Sequence, residues 1–213
     1  MRMPKRRKRR ARVRREIRAA MKTPNPQCLP GRGAFACEVC ILAGGLSSRM
    51  GRDKARLRLG RRTLLGHVRA LAGETGLRVR IVRRDLVPRC GPLGGVYTAL
   101  KRSRAEAVLF LSCDMPFVSR ELVAKLLTRF EARREALFVE AEGTVGFPFV
   151  LPPAALPVVA AQLAAKRFSL QALAATLAAR RLKLRRAEAG QLFNVNTPED
   201  FAVATKRWRD RSR

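Results

Sequence analysis

The segment CILAGGLSSRMGRDK, residues 40–54, runs four apolar residues into two glycines, two serines and three cations. Glycines at the carboxyl end of a strand admit positive φ and let backbone N–H groups come close to a ligand. Ser47 and Ser48 add hydroxyl donors, and Arg49, Arg52 and Lys54 add positive charge. Together they suit a polyanion such as a run of phosphates; an ordinary glycine turn with solvated cations is the other reading. Spacing excludes two familiar loops. A P-loop would end in Gly-Lys-Ser/Thr, whereas Gly51 is followed by Arg52 and Asp53, and GGLSSRMG does not supply G-x-G-x-x-G. A second chemical residue is Asp114, which closes the apolar run EAVLFLSCD; an acid there is costly unless it is paired or bound to a metal. Asn194 and Asn196 precede a helix start, where asparagine is also good turn chemistry.

The elements that must hold these residues alternate. CEVCILA (37–43) reads as a buried strand, and TLLGHVRALAG (63–73) as a helix with Leu64, Leu65, Val68, Leu71 and Ala72 on one face. His67 lies inside that helix and reads as structural. LRVRIV (77–82) is a short strand, GGVYTALKRS (94–103) a helix and residues 106–114 a central strand. Ser119 caps a helix carrying Leu122, Val123, Leu126, Leu127 and Phe130. EALFVEA (135–141) and FPFVLP (147–152) are strand candidates, Ser169 caps LQALAATLAARR, and LKLRRA (182–187) is a late strand. Thr197 as N-cap, Pro198 at the first helical position and two acids behind it open a last helix. Strands alternating with helices predict a three-layer, Rossmann-like α/β fold with a mostly parallel sheet.

Composition narrows the class of protein. With 213 residues and 47% apolar residues the chain can bury a real core. The richest apolar stretch, AALPVVAAQLAA (154–165), is too short to span a bilayer. No apolar segment follows the basic N-terminus as a secretory signal would require, so a cytoplasmic protein is expected. The net charge is +30; residues 1–22 alone hold twelve Lys/Arg and one acid. That segment reads either as a polyanion-binding arm, for which nucleic acid is one candidate, or as a solvated tail preceding a true start at Met21. TPNPQCLPGRG (23–33) reads as a linker, which makes 1–33 an extension and 34–213 the folded domain. Five cysteines, scattered and odd in number, argue against a disulfide framework. Cys37 and Cys40 lie three apart along a strand, on opposite faces, which disfavours a shared metal.

The string LAGG-x-S-S-R-M-G-x-D-K (42–54) resembles the signature loop of the MobA-like nucleotidyltransferases, the molybdenum cofactor guanylyltransferase family. GPLGGV (91–96), CDMPFV (113–118) and NVNTPEDF (194–201) resemble the same family, in order, so the likeness spans about residues 37–206. The second glycine of LAGG leans toward guanine, because related cytidylyltransferases carry LAAG. The resemblance implies transfer of GMP from GTP to the phosphate of molybdopterin or Mo-molybdopterin, with pyrophosphate released and Mg2+ as cofactor. It also implies molybdopterin-insertion proteins or acceptor molybdoenzymes as partners. A phosphate monoester has its second pKa at about 6, so the acceptor needs alignment and charge neutralisation more than a base. Carried over residue by residue, Leu42, Ala43 and Gly44 contact the nucleotide through their backbone, and Gly45, Ser47 and the loop to Gly51 hold its phosphates. Arg49 and Lys54 stabilise charge on the triphosphate, and Asp114 binds Mg2+. Gly91, Gly94 and Gly95 let a loop approach the nucleoside near Asp85, and Asn194 and Asn196 face the acceptor.

Two departures stand out. The family has an additional strand and loop, carrying a base-contacting Asn, where residues 73–90 offer one strand and no Asn. It also has His-Pro or Gln-Pro where this chain has Phe147-Pro148. A cytidylyl or sugar-phosphate transferase of the same fold, and a catalytically silent domain binding polyanions through its arm, are therefore the alternatives.

Overall fold

The computed structural model describes residues 36–44 and 54–211. The expected basic extension and linker at 1–33, and Gly45, Ser47, Arg49 and Gly51 of the glycine loop, lie outside them.

The described chain runs β1 (Cys37–Leu42), a 3-10 turn (Lys54–Arg56), β2 (Arg58–Leu59), β3 (Arg62–Thr63), α1 (Leu64–Gly73), β4 (Arg78–Val82), α2 (Gly91–Arg102), β5 (Ala107–Ser112) and α3 (Arg120–Glu131). It continues through β6 (Leu137–Ala141), β7 (Thr144–Leu151), a 3-10 turn (Pro153–Ala155), α4 (Leu156–Ala164), α5 (Leu170–Thr176), β8 (Arg180–Lys183), α6 (Arg186–Ala189), a 3-10 turn (Gly190–Leu192) and α7 (Pro198–Arg211). Six strands form one sheet in the order β4-β1-β5-β7-β6-β8, while β2 and β3 pair as a small hairpin. β1 pairs in parallel with both β4 and β5, and β6 with β8; only β7 runs against its neighbours. The mostly parallel α/β sheet expected from the alternation is thus present.

Both faces are covered, as a parallel sheet requires. Val39 and Ile41 of β1 and Leu109 and Leu111 of β5 pack against α1 and α3 through Leu65, Val68, Leu122, Leu126 and Phe130. Cys40, Leu42, Val108 and Phe110 point the other way, onto Val96 and Ala99 of α2, Val159 of α4 and Leu173 of α5. On this second face the rings of Phe138, Phe149 and Phe110 stack at 4.6 and 4.9 Å between centroids. Cys37 and Cys40 fall on opposite faces, and burial pushes both thiols up to about 12, far from the thiolate a metal would need.

Ser119 and Ser169 cap α3 and α5 as expected, accepting from Leu122 N–H and from Gln171 and Ala172 N–H. Two expectations need correction. The helix from Ser169 stops at Thr176, where Ala178 turns into the left-handed region at φ 46°. The late strand is Arg180–Lys183, set by pairing with Leu137–Glu140, and residues 186–189 are helical. The apolar stretch at 154–165 is mostly the helix α4, wedged beside α2. Pro148 sits in β7 where it has no N–H to give, and β6 accommodates it with a register shift between Phe138 and Val139.

The chain leaves β1 for β4 on one side and returns past β1 to β5 on the other. The crevice outside the carboxyl ends of β1 and β5 is therefore a topological switch point, the place where open α/β sheets bind ligands.

Candidate active site

Asp114 lies two residues beyond β5, held there by the backbone. Cys113 N–H donates to Leu42 O at 3.1 Å, and Met115 N–H to Ser112 O at 3.3 Å. The carboxylate is buried, and both of its oxygens are engaged: Ser112 Oγ donates to Oδ1 at 2.5 Å, and Lys54 Nζ donates to Oδ2. Lys54 comes from the 3-10 turn that follows the glycine loop, and its ammonium also donates to Asn196 Oδ1 at 3.2 Å. Three segments far apart in sequence thus converge on one point: the end of the loop, the end of β5 and the turn before α7.

That last turn is fastened from two directions. Val195 is fully buried, and its N–H donates to the carbonyl of Asp114 at 2.9 Å. Asp200 Oδ2 accepts from the N–H groups of Asn196 and Thr197 at 2.9 and 3.0 Å, and Thr197 Oγ1 accepts from Asp200 N–H at 3.1 Å. The backbone N–H of Asn196 and its neighbours hold the Asp200 carboxyl below its ordinary range. This reciprocal arrangement is the capping box expected at Thr197. A third apolar cluster, with Leu59, Leu64, Phe117, Val195 and Ala204 at its centre, packs Trp208 of α7 against the turn of the β2–β3 hairpin. A Cβ on Gly60, at φ 62°, would lie 2.5 Å from the Trp208 indole nitrogen. His67 belongs to that packing: its Nε2 lies 2.7 Å from Leu59 O, and its ring lies 4.3 Å from Trp208.

Between the end of β1 and α2 the loop carrying Asp85 packs closely against glycine backbone. Ala43 N–H donates to Val82 O at 2.8 Å, which sets Gly44 against the start of the β4–α2 loop. A Cβ on Gly44 would come 3.0 Å from Arg83 O, and one on Gly94 would come 2.6 Å from Val87 O and 2.9 Å from Asp85 Oδ2. Gly95 faces Leu42 and Asp85 Oδ1 in the same way, at 3.1 and 3.3 Å. Gly91 begins α2 at φ 55°, as a glycine there should. No hydrogen bond reaches the Asp85 carboxylate among the described residues, and burial pushes its carboxyl up from the ordinary range.

Of the sequence-predicted residues, Lys54, Asp114 and Asn196 are brought into contact, and Leu42, Gly44, Gly94, Gly95 and Asp85 are packed together. Asn194 is exposed on the same turn, apart from that network. Ser112 was not singled out from the sequence; only its position two residues before Asp114, on the same side of the strand end, hinted at it. Whether Asp114 suits a divalent cation can be judged from its surroundings. Mg2+ is commonly held by one or two carboxylates plus substrate phosphates, and a buried strand-end carboxylate at a sheet's switch point, paired with an ammonium among the described residues, fits that role.

The open, mostly parallel sheet is shared by solved structures. One is molybdopterin-guanine dinucleotide biosynthesis protein A from Archaeoglobus fulgidus, with a TM-score of 0.66 and 18% identity, covering 81% of this chain and 99% of that one. Another is 2-C-methyl-D-erythritol 4-phosphate cytidylyltransferase from Thermus thermophilus, at 0.60 and 21%, covering 83% and 99%. Within that fold the chain belongs to the MobA-like NTP transferase family, whose domain matches residues 39–182. A molybdenum cofactor guanylyltransferase of Pseudomonas putida is 33% identical over 199 residues, 82% of this chain and 97% of that protein.

Proposed function

We propose that the protein transfers GMP from GTP to the phosphate of molybdopterin or Mo-molybdopterin, releasing pyrophosphate. The convergence of Lys54, Asp114 and Asn196 at the carboxyl ends of β1 and β5 carries this reading. An oxygen of the acceptor phosphate attacks the α-phosphorus of GTP; the bond from that phosphorus to the oxygen bridging to the β-phosphorus breaks, and the pyrophosphate takes the electron pair. The glycine loop, including Gly45, Ser47, Arg49 and Gly51, cradles the phosphates. Lys54 meets the negative charge that builds on the leaving group, where a prepositioned cation is worth most. Asp114 would hold Mg2+, which supplies charge neutralisation on the phosphates. Ser112 keeps the Asp114 carboxylate turned toward the crevice. Asn196, and Asn194 on the same turn, face the acceptor.

Asp85 supports guanine. A carboxylate accepts only. Guanine offers two adjacent donors, N1–H and the 2-amino group, whereas cytosine and adenine place an acceptor beside their one amino group. The glycines at 44, 94 and 95 let the Asp85 carboxylate come close to the backbone of β1 and α2, and in this reading it takes the role of the base-contacting Asn missing from residues 73–90. In this reading residues 34–213 form the catalytic domain, 1–33 are a basic N-terminal extension, and the enzyme works in the cytoplasm. No described helix is long and apolar enough to cross a membrane.

The test is pyrophosphate release from GTP, CTP and ATP by purified protein with Mg2+ and molybdopterin. Release confined to GTP is expected. Preference for CTP would overturn the base, and no release from any of the three would overturn the transfer itself.

A further inference from the structure

The loop that carries Asp85 has little of its own to hold it. Arg83, Arg84, Leu86, Pro88 and Arg89 are all exposed, Leu86 to 45%. Of its side chains past Asp85, Val87 is half-buried and Cys90 is buried, its thiol donating to Pro88 O at 3.4 Å at the far end of the loop. A buried hydroxyl anchors it beside Asp85. Thr98, fully buried in the middle of α2, accepts from the N–H of Leu86 at 2.8 Å and donates to the carbonyl of Gly94 at 2.7 Å. The bond to Gly94 is the ordinary back-bond of a helical threonine to the carbonyl four residues earlier. The bond from Leu86 is not local: it crosses twelve residues and fastens the backbone immediately after Asp85 to the glycine segment beneath it. The same Gly94 faces Asp85 Oδ2 and Val87 O at distances that no Cβ would allow. One hydroxyl therefore ties the loop just after Asp85 to the glycine segment of α2.

We propose that Thr98 is a positioning residue for base selection: its hydroxyl fixes the Asp85 carboxylate at the height where it meets the adjacent N1–H and 2-amino donors of guanine. This rests on the reading that Asp85 faces the base. Valine matches threonine in shape but can neither donate nor accept, and it would leave both Leu86 N–H and the loop unfastened. Serine keeps the hydroxyl and loses only a methyl group.

The test is equilibrium binding of GTP, ITP (which lacks the 2-amino group) and CTP, with Mg2+, to the full chain and its Thr98→Val, Thr98→Ala and Thr98→Ser variants, with thermal unfolding measured alongside. Wild type should prefer GTP over both others. Thr98→Val and Thr98→Ala should each lose about tenfold of that preference, the worth of one well-placed hydrogen bond, mainly through weaker GTP binding. Thr98→Ser should restore it. Asp85→Asn, as a control, should lose the same preference with Thr98 intact. If wild type prefers GTP and Thr98→Val keeps that preference, losing only stability, the proposal is overturned while the base reading stands. An equal loss for all three nucleotides would also overturn it. A wild type without preference, or an Asp85→Asn variant that keeps it, would overturn the base reading and the proposal with it.

Discussion

Two buried carboxylates on neighbouring strands have opposite meanings. Glu38, the second residue of β1, is 2% exposed and takes both hydrogen bonds from one guanidinium nitrogen of Arg80 on β4, at 2.7 and 2.6 Å. Asp114, just past the end of β5, is nearly as buried but shares its charge among a serine hydroxyl and a lysine ammonium that also serves Asn196. The first pair is complete within the sheet, near the amino ends of the strands. It ties the edge strand β4 to β1 in the register Glu38–Arg78, Cys40–Arg80, and a one-residue slip would turn Arg80 to the other face. The second sits where strands of this fold open to ligands, and its cation is on a flexible stem. Burial of a charge is thus common to both; position along the strand and the stem of the partner separate the structural pair from the one proposed to be functional.

Breaking each pair should give different results. Asp114→Ala should lower turnover by on the order of 10²–10³-fold or more, as loss of a preorganised charge at a transferring phosphoryl group does, with a smaller fall in melting temperature than Glu38→Gln because the Lys54 ammonium keeps Asn196 Oδ1 as a partner. Lys54→Met should lower turnover by about a hundredfold, but it leaves Asp114 buried beside Ser112 and Asn196, so some stability should be lost with it. Glu38→Gln should instead cost about 3 kcal/mol of stability by stranding Arg80, a fall of roughly 6–12 °C in a domain of this size. Its turnover per folded molecule should stay near wild type. Turnover assays paired with calorimetry on the three variants separate the two roles.

The smallest expected effect concerns Asp85. Its carboxyl is raised by burial, so the folded state binds that proton more tightly than the unfolded chain. Stability is then lost as pH rises from the ordinary carboxylate range through the raised value, and the penalty persists at neutral pH. Asp85→Asn removes the charge that burial penalises, and should melt slightly higher at pH 7 while binding GTP more weakly. Asp200 has the opposite sign. Its carboxyl is lowered by the N–H groups of Asn196 and Thr197, so its contribution is present at neutral pH and lost as pH falls through the lowered value. Asp200→Asn should therefore weaken acid-range stability less than neutral stability, which melting curves at pH 3 and pH 7 resolve.

Much of this could be read before any coordinates. The alternation of β1, α1, β4, α2 and β5 follows from period and capping residues, and Lys54, Asp114 and Asn196 stand in motifs that a sequence displays. What escaped were features that depend on pairing between distant segments. Glu38 and Arg80 become partners only through the β1–β4 register, and Thr98 meets Leu86 only because α2 lies under the loop. Nothing local marks Ala178 for a left-handed turn, since the signal there is usually glycine, so α5 was drawn too long and β8 too late. α4 is apolar on most of its surface, with Pro157 in its first turn, and such a stretch has no helical stripe to betray it.

The most direct test of the account is the binding of Mn2+, as a paramagnetic stand-in for Mg2+, in the presence of GTP, followed by electron paramagnetic resonance in wild type, Asp114→Asn and Glu38→Gln. The account predicts tight binding in wild type and Glu38→Gln, and a loss of more than about a hundredfold in Asp114→Asn, beyond what removing an outer partner of a metal site costs. Unchanged binding in Asp114→Asn, or an equal loss in Glu38→Gln, would contradict it.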